Sequence, residues 1–221
     1  MTSFKPTLPA GTVYKTERYE QLQDTGQFIH QIGEYTALRE KSQQVELSSI
    51  PTTEFQAKLE YLKSCLITFR SITGIGRGIT AVQVGIPERF SVVYIPPDTD
   101  EAVKALFKLD SDSLVTIINP VITKTSDKKF IFPEMCMSAE PIIAPVVRPA
   151  TVELEYYDET GAKQLFELSD ETQIGKILNR VIQHEVDHME GIICVDKADP
   201  AQLRLDVDPD FYSKAIFEEV E

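Results

Sequence analysis

The sequence predicts an α+β fold in which short strands surround a central helix. Three observations carry that prediction: segments of helical period near residues 53–69 and 174–188, short runs of β-type residues between them, and the pentad His184, Glu185, Val186, Asp187, His188 on the later helical segment. A chain of 221 residues, 42% hydrophobic and 26% charged, has ordinary globular composition and is long enough for one sizeable core without requiring a second domain.

Residues 1–20 mix Pro with charges of both signs and contain no apolar stretch of the kind a secretory signal needs. Glu17, Glu20 and Asp24 argue against an acid-poor transit peptide. Residues 1–52 read as an N-terminal extension packing on the domain, with His30 in a polar stretch and therefore at the surface. A helix starts near Thr53, where Gln56 completes a capping box, and buries Phe55, Leu59, Leu62, Leu66 and Phe69 as one stripe. Cys65 lies beside that stripe as a small core residue.

The glycine-bearing residues 74–83 follow as a loop, and strands are expected at 90–95, 115–121, 130–132, 151–157 and 164–168. Residues 151–157 alternate apolar and charged side chains, and 158–161 supply the turn into the next strand. Residues 96–113 read as an acidic insertion with a short helix at 101–109. A second long helix opens at Asp170, with Gln173 three residues on, and repeats Ile174, Ile177, Leu178, Val181 and Ile182 at helical spacing. The segment 199–221 reads as an acidic helical tail, with Asp208 as cap and Pro209 in its first turn.

Continuing the second stripe by one and two turns reaches His184, Glu185 and His188, so the pentad faces the core. Two His four residues apart on one helical face bind a divalent cation, and the Glu beside the first is placed to move a proton for a metal-bound water. The chain has only three His, and two of them stand here, where an unpaired ring would be costly to bury. A catalytic metal usually takes a third protein ligand. The metzincin pattern places a third His where this chain has Cys194, so Cys194 is one candidate; Cys136, in the run Glu134, Met135, Cys136, Met137, Ser138, is the better one. Gly74, Gly76 and Gly78 form a GxGxG string, but no Lys followed by Ser or Thr accompanies it, so a phosphate loop is not indicated.

Taken in order, residues 76–83 (Gly-Arg-Gly-Ile-Thr-Ala-Val-Gln), residues 134–138 and the pentad resemble the three motifs of the peptide deformylase family, GxGLAAxQ, EGCLS and HExDH. The resemblance covers residues 53–198 and implies a deformylase-like α+β domain, short antiparallel strands around the metal-binding helix. It implies a metal held by Cys136, His184 and His188, ferrous iron in the cell with zinc or nickel after preparation. Glu185 would be the general base, with the Gln83 amide and the Met137 backbone N–H stabilising the oxyanion. Substrate contacts would come from Arg77, Gly78, Glu134, Met135 and Val181. The implied reaction removes the formyl group from formyl-methionyl peptides or nascent chains; the alternatives are a short or acidic N-acylated substrate, a non-catalytic formyl-peptide binder, or a zincin-type peptidase using a different ligand.

Asp187 would act behind the ligands, and Arg148 would pair with Asp187 or Glu134. Several residues depart from the family. Met135 stands for the Gly of EGCLS, Arg77 replaces a usually apolar residue, and Ile79, Thr80 and Val82 vary the first motif. Arg77 offers a fork of donors suited to a substrate carboxylate or carbonyl.

A net charge of −13 excludes sequence-independent binding to nucleic acid, and no run approaches the roughly twenty apolar residues of a membrane span. Three cysteines without framework spacing point to a reducing, cytoplasmic setting. The expected partner is an N-formylated peptide, and the expected state a monomer or weak homodimer.

Overall fold

Two long helices and two antiparallel sheets make up the computed structural model, which describes residues 17–33, 35–99, 101–107, 114–205 and 216–220. The first helix, α1 (Glu17–Asp24), precedes α2 (Thr53–Thr73). In α2 the cap is Thr52, one residue before the expected start, and its hydroxyl accepts from the Phe55 N–H. Gln56 instead donates to the Ile50 carbonyl at 2.8 Å. Gly74 ends the helix at φ 72°, a left-handed conformation that suits glycine. The expected stripe is buried, Cys65 with it, and burying it stabilises the fold by on the order of 10 kcal/mol before chain entropy is counted.

Strands β1 (Gly78–Thr80), β2 (Phe90–Tyr94), β3 (Leu114–Thr125), β6 (Val152–Tyr157) and β7 (Lys163–Glu167) form one sheet in the order β1-β2-β3-β6-β7, every pairing antiparallel. The other sheet runs β8-β5-β4-β9, with β4 (Lys129–Met135), β5 (Ile142–Pro149), β8 (Arg204–Leu205) and β9 (Glu218–Val220). Helix α3 (Glu101–Leu106) lies in the acidic insertion; residues 108–109 of the helix expected there fall outside the described residues. Helix α4 (Gln173–Met189) carries the pentad, and the short α5 (Cys194–Lys197) follows it.

Several elements differ from expectation for identifiable reasons. Residues 78–80, read as loop, pair with β2. Strand β4 is longer than expected and takes in Glu134 and Met135, while the Pro-rich segment after the second motif, where no strand is expected, forms β5. Pro145 and Pro149 lack the N–H that a ladder uses, which hides a strand from its sequence; here Pro145 lies opposite Pro133. Helix α4 is capped by Thr172, whose hydroxyl accepts from Gly175 N at 3.1 Å, and not by Asp170, which pairs with Lys128 at 2.7 Å. Gly175 is fixed by crowding, because a Cβ there would lie 2.0 Å from the Ser169 carbonyl oxygen. The tail helix expected from Asp208 lies outside the described residues; the strand β9 pairs with β4 at Lys129–Ile131. Among the described residues no helix is long and apolar enough to cross a membrane.

His30 is a clear correction. It is 1% exposed rather than superficial, stacked on Tyr35 at 3.9 Å and edge-on to Phe28 at 4.9 Å. The segment around it straps together the segments that carry Gln83 and Ser138, His30 N–H donating to the Gln83 carbonyl and Ile32 N–H to that of Ser138, each at 2.8 Å. Burial lowers the His30 pKa to about 4. The unfolded chain, with an ordinary imidazole near 6.5, therefore binds a proton that the folded chain excludes, and stability is lost as pH falls from 6.5 towards 4. At pH 5 the loss from this one group is about 2 kcal/mol. His30→Phe keeps the stacking and removes the titration, so urea melts at pH 7.5 and pH 5 should show a smaller acid-induced loss in the variant. An equal loss in both proteins would exclude His30 as a source of acid sensitivity.

Candidate active site

One face of α4 buries His184, Glu185 and His188, the end of β4 delivers Cys136, and the turn Ala81–Val84 after β1 delivers Gln83. The ligand atoms of Cys136, His184 and His188 all lie within 4.8 Å of one another, with Cys136 Sγ 3.2 Å from His188 Nε2. The fit to a metal can be tested on the outer atoms. His184 Nδ1 is 2.8 Å from Glu134 Oε2, which leaves Nε2 as its ligand atom, the arrangement in which a carboxylate orients a metal-binding imidazole. A sulfur and two imidazole nitrogens in one buried cluster suit a divalent transition ion.

Cys194 also comes close to this cluster, in a second group with Glu134 and His184. That group is the poorer site, because Glu134 is fully buried and committed to Arg148, Nε to Oε1 at 2.6 Å and Nη2 to Oε2 at 2.9 Å. Arg148 also reaches Asp187 at 2.6 Å, so it pairs with both carboxylates expected as alternatives, and Lys197 holds Asp187 from the other side at 2.9 Å.

Electrostatics sort these groups by role. Burial alone would raise Glu134, but the Arg148 charge and the Arg148 and His184 hydrogen bonds hold it well below the usual carboxylate range. Burial works against a charged His184, yet the Glu134 contact raises its pKa. His188 is pushed down by burial and by His184, which keeps it in the neutral form a ligand needs. Burial pushes the Cys136 thiol up, so loading a cation there releases a proton. Glu185 is raised by burial, with the Thr80 hydroxyl, donating at 2.7 Å, offsetting part of the rise. A raised carboxylate is a better base for an attacking water.

A cavity of about 300 Å³ opens onto this cluster. Arg77, Gly78, Met135 and Val181 line it, as do Gln83, Cys136, Met137, His184 and Glu185. Glu134 does not; it sits behind His184 with no exposed surface. The Gln83 amide oxygen accepts from Thr80 N at 2.8 Å, and its nitrogen donates to Ser138 Oγ at 3.0 Å, 4.0 Å from Cys136 Sγ. The Met137 carbonyl is held by Tyr19 and by Gln31 Nε2 at 2.8 Å, which fixes the peptide that carries the second motif.

Sequence reasoning missed Thr80, Ser138, Tyr19, Gln31 and Arg180 as neighbours of the site. Thr80 and Ser138 lie inside the first two motifs, and Arg180 stands four residues before His184 on α4 and must share its face, whereas nothing in the sequence marks Tyr19 or Gln31.

Gly78 approaches the site most closely, for a Cβ built there lies 2.4 Å from Glu185 Oε1. Gly78→Ala is expected to displace the Glu185 side chain, whose Cδ and Cγ would also lie only 2.7 and 2.9 Å from the added carbon. The outcome should be a loss of about a hundredfold in kcat/KM with an unchanged thermal midpoint and metal content. Full activity would mean that the carboxylate works from another position.

The family model described as polypeptide deformylase matches residues 28–204. The chain is similar to curated peptide deformylases from Thermosynechococcus vestitus, 37% identical over 64% of this chain and 65% of the relative, and from Synechocystis, 37% identical over 62% and 64%. The matched segments thus span just under two thirds of these relatives. Among solved structures, a probable peptide deformylase from the Synechococcus phage S-SSM7 superposes with a TM-score of 0.60 at 28% identity, covering 77% of this chain and 99% of that one. A peptide deformylase from Synechococcus elongatus in complex with actinonin gives 0.59 at 26% identity, covering 78% and 79%.

Proposed function

Because this chain belongs to the polypeptide deformylase family, we propose that it is a metallohydrolase removing the formyl group from N-formylated peptides, formyl-methionyl chains among them. The observation that carries the reading is the cluster of Cys136, His184 and His188 at the edge of a cavity whose wall includes Cys136, His184 and the Glu185 carboxylate.

Cys136, His184 and His188 would hold one divalent ion, ferrous iron in the cell and zinc or nickel after aerobic preparation. When bound, it would polarise the formyl oxygen and acidify water. Glu185 takes the proton of the attacking water as the new carbon–oxygen bond forms, and delivers it to the amine as the carbon–nitrogen bond breaks. Formate and a free N-terminal amine leave. Gln83 and the Met137 N–H donate to the oxygen as charge builds on it; for Gln83 this means directing one amide hydrogen away from the Cys136 side of its present contacts. Thr80 holds Glu185, and Ser138 N–H, donating at 3.3 Å, holds the Cys136 sulfur. Three buried cysteines, none in a disulfide, support a reducing compartment such as the cytoplasm.

The test is formate release from a formyl-Met tripeptide by protein prepared without oxygen and loaded with ferrous iron. Turnover that is absent in Cys136→Ala, together with loss of bound iron, supports the reading. No turnover from any N-formyl peptide by fully loaded protein would overturn it in favour of a binding protein.

A further inference from the structure

Beside the catalytic cluster, the cavity holds more positive charge than an uncharged first residue needs. Arg70, Arg77 and Arg180 all line it. Arg70 is committed, its guanidinium 3.6 Å over the Tyr94 ring and donating to the Gly76 carbonyl. The other two are not. Arg77 Nη1 and Arg180 Nε are buried without a hydrogen-bond partner, and Arg180 has Glu134 only at 3.9 Å and the Phe132 face at 4.8 Å. Burial and the charges of Arg70 and Arg180 lower the Arg77 pKa, with Tyr94 and Asp98 offsetting part of the fall. Glu140 also lines the cavity, but its carboxylate is engaged by Arg18 at 3.2 and 3.3 Å.

Position sets the reach of these donors. Arg77 is bonded to Gly78, which abuts the Glu185 carboxylate, and Arg180 stands one turn before the ligand His184. Arg180 Nη1 is 3.9 Å from Glu134, whose other oxygen is 2.8 Å from His184 Nδ1, so this cation stands beside the metal-binding cluster, and Arg77 lines the same cavity. A group that meets them belongs to the formylated residue itself and not to a later part of the peptide. The remaining walls include Phe69, Phe132 and Ile177, and such apolar surroundings strengthen a charge-assisted pair.

Resting on the hydrolase reading above, we infer that this cavity recognises a carboxylate on the formylated residue, with Arg77 and Arg180 as its donors. The favoured substrates are N-formyl compounds whose first residue is anionic, through an acidic side chain or through a free α-carboxylate. Guanidinium forks match carboxylates bidentately, so an amide of the same shape is a poor substitute.

The test compares formyl-Glu-Ala amide with formyl-Gln-Ala amide, and N-formylmethionine with its amide, as substrates of the iron-loaded enzyme. A second measurement follows binding of N-acetyl-Glu amide and N-acetyl-Gln amide to metal-free protein by calorimetry. The expected result is a preference of at least about tenfold for the anionic member of one pair in kcat/KM, about 1.4 kcal/mol, expressed in KM and reduced in Arg77→Leu and in Arg180→Leu. Preference within the Glu/Gln pair assigns the carboxylate to the side chain; preference within the methionine pair assigns it to the α-carboxylate. Equal rates in both pairs overturn the inference while leaving the hydrolase reading intact. Anion-selective binding with no formate from any substrate does the reverse.

Discussion

Glu185→Gln is expected to keep its metal and lose about three orders of magnitude in kcat/KM, within the 10²–10⁴ range of general acid–base catalysis. Glu185 faces the cavity from the same helical turn as His184, but the ligand cluster is formed by Cys136, His184 and His188, so replacing the carboxylate removes no ligand. The amide fills the same space and still accepts from the Thr80 hydroxyl, which leaves the fold undisturbed. What disappears is a carboxylate whose pKa burial has raised. A threefold effect on KM against a thousandfold effect on kcat is the signature of an interaction used in the transition state. Equal metal content in variant and parent, measured beside the kinetics, is essential to the reading. Near-normal turnover would remove Glu185 as the base and leave the cluster as a binding site.

The parts of this molecule that were legible in the sequence are those whose chemistry is local. A stripe at helical spacing determines which face of α2 is buried whatever packs on it, and the pentad places His184 and His188 on one face by helix geometry alone. Cys136 was found through a motif, and the strands at 90–94 and 152–157 through their composition. What escaped depends on partners far away in the chain. The strap around His30 bonds to Gln83 and Ser138, and no pattern within residues 28–32 announces it. Strand β5 was hidden because its prolines disobey the usual composition of a strand, and β1 because three residues are too few to show a period. Helix starts were displaced by one or two residues because Thr52 and Thr172, the working caps, each have another polar residue close by. Arg148 is instructive, since its two candidate partners were both identifiable, but only three-dimensional placement shows one guanidinium serving both.

That shared guanidinium carries the largest expected effect on stability. Arg148→Met should destabilise the protein by about 3–5 kcal/mol, the range found when one partner of a buried ion pair is removed. Glu134 would be left without exposed surface, holding only His184 at 2.8 Å and Arg180 at 3.9 Å, whereas Asp187 keeps Lys197. The pH response separates this account from simple loss of packing. In the parent, Glu134 is held low, so its contribution is fully present above the ordinary carboxylate range and is lost progressively as pH falls from that range through the depressed value. In the variant, burial is no longer opposed by Arg148, and the Glu134 pKa should rise above its unfolded value. A raised carboxylate favours folding at low pH and costs stability as pH climbs through it, so the variant should recover stability relative to the parent between pH 7 and pH 5. Arg148→Met combined with Glu134→Gln should recover most of the loss at neutral pH, because no buried charge remains. Metal affinity should fall about 10–100-fold in the single variant, since Glu134 would no longer be a fixed support for His184. A single variant whose deficit is the same at both pH values, and is not relieved by Glu134→Gln, would show that Arg148 stabilises the fold through its stem and not through its charge.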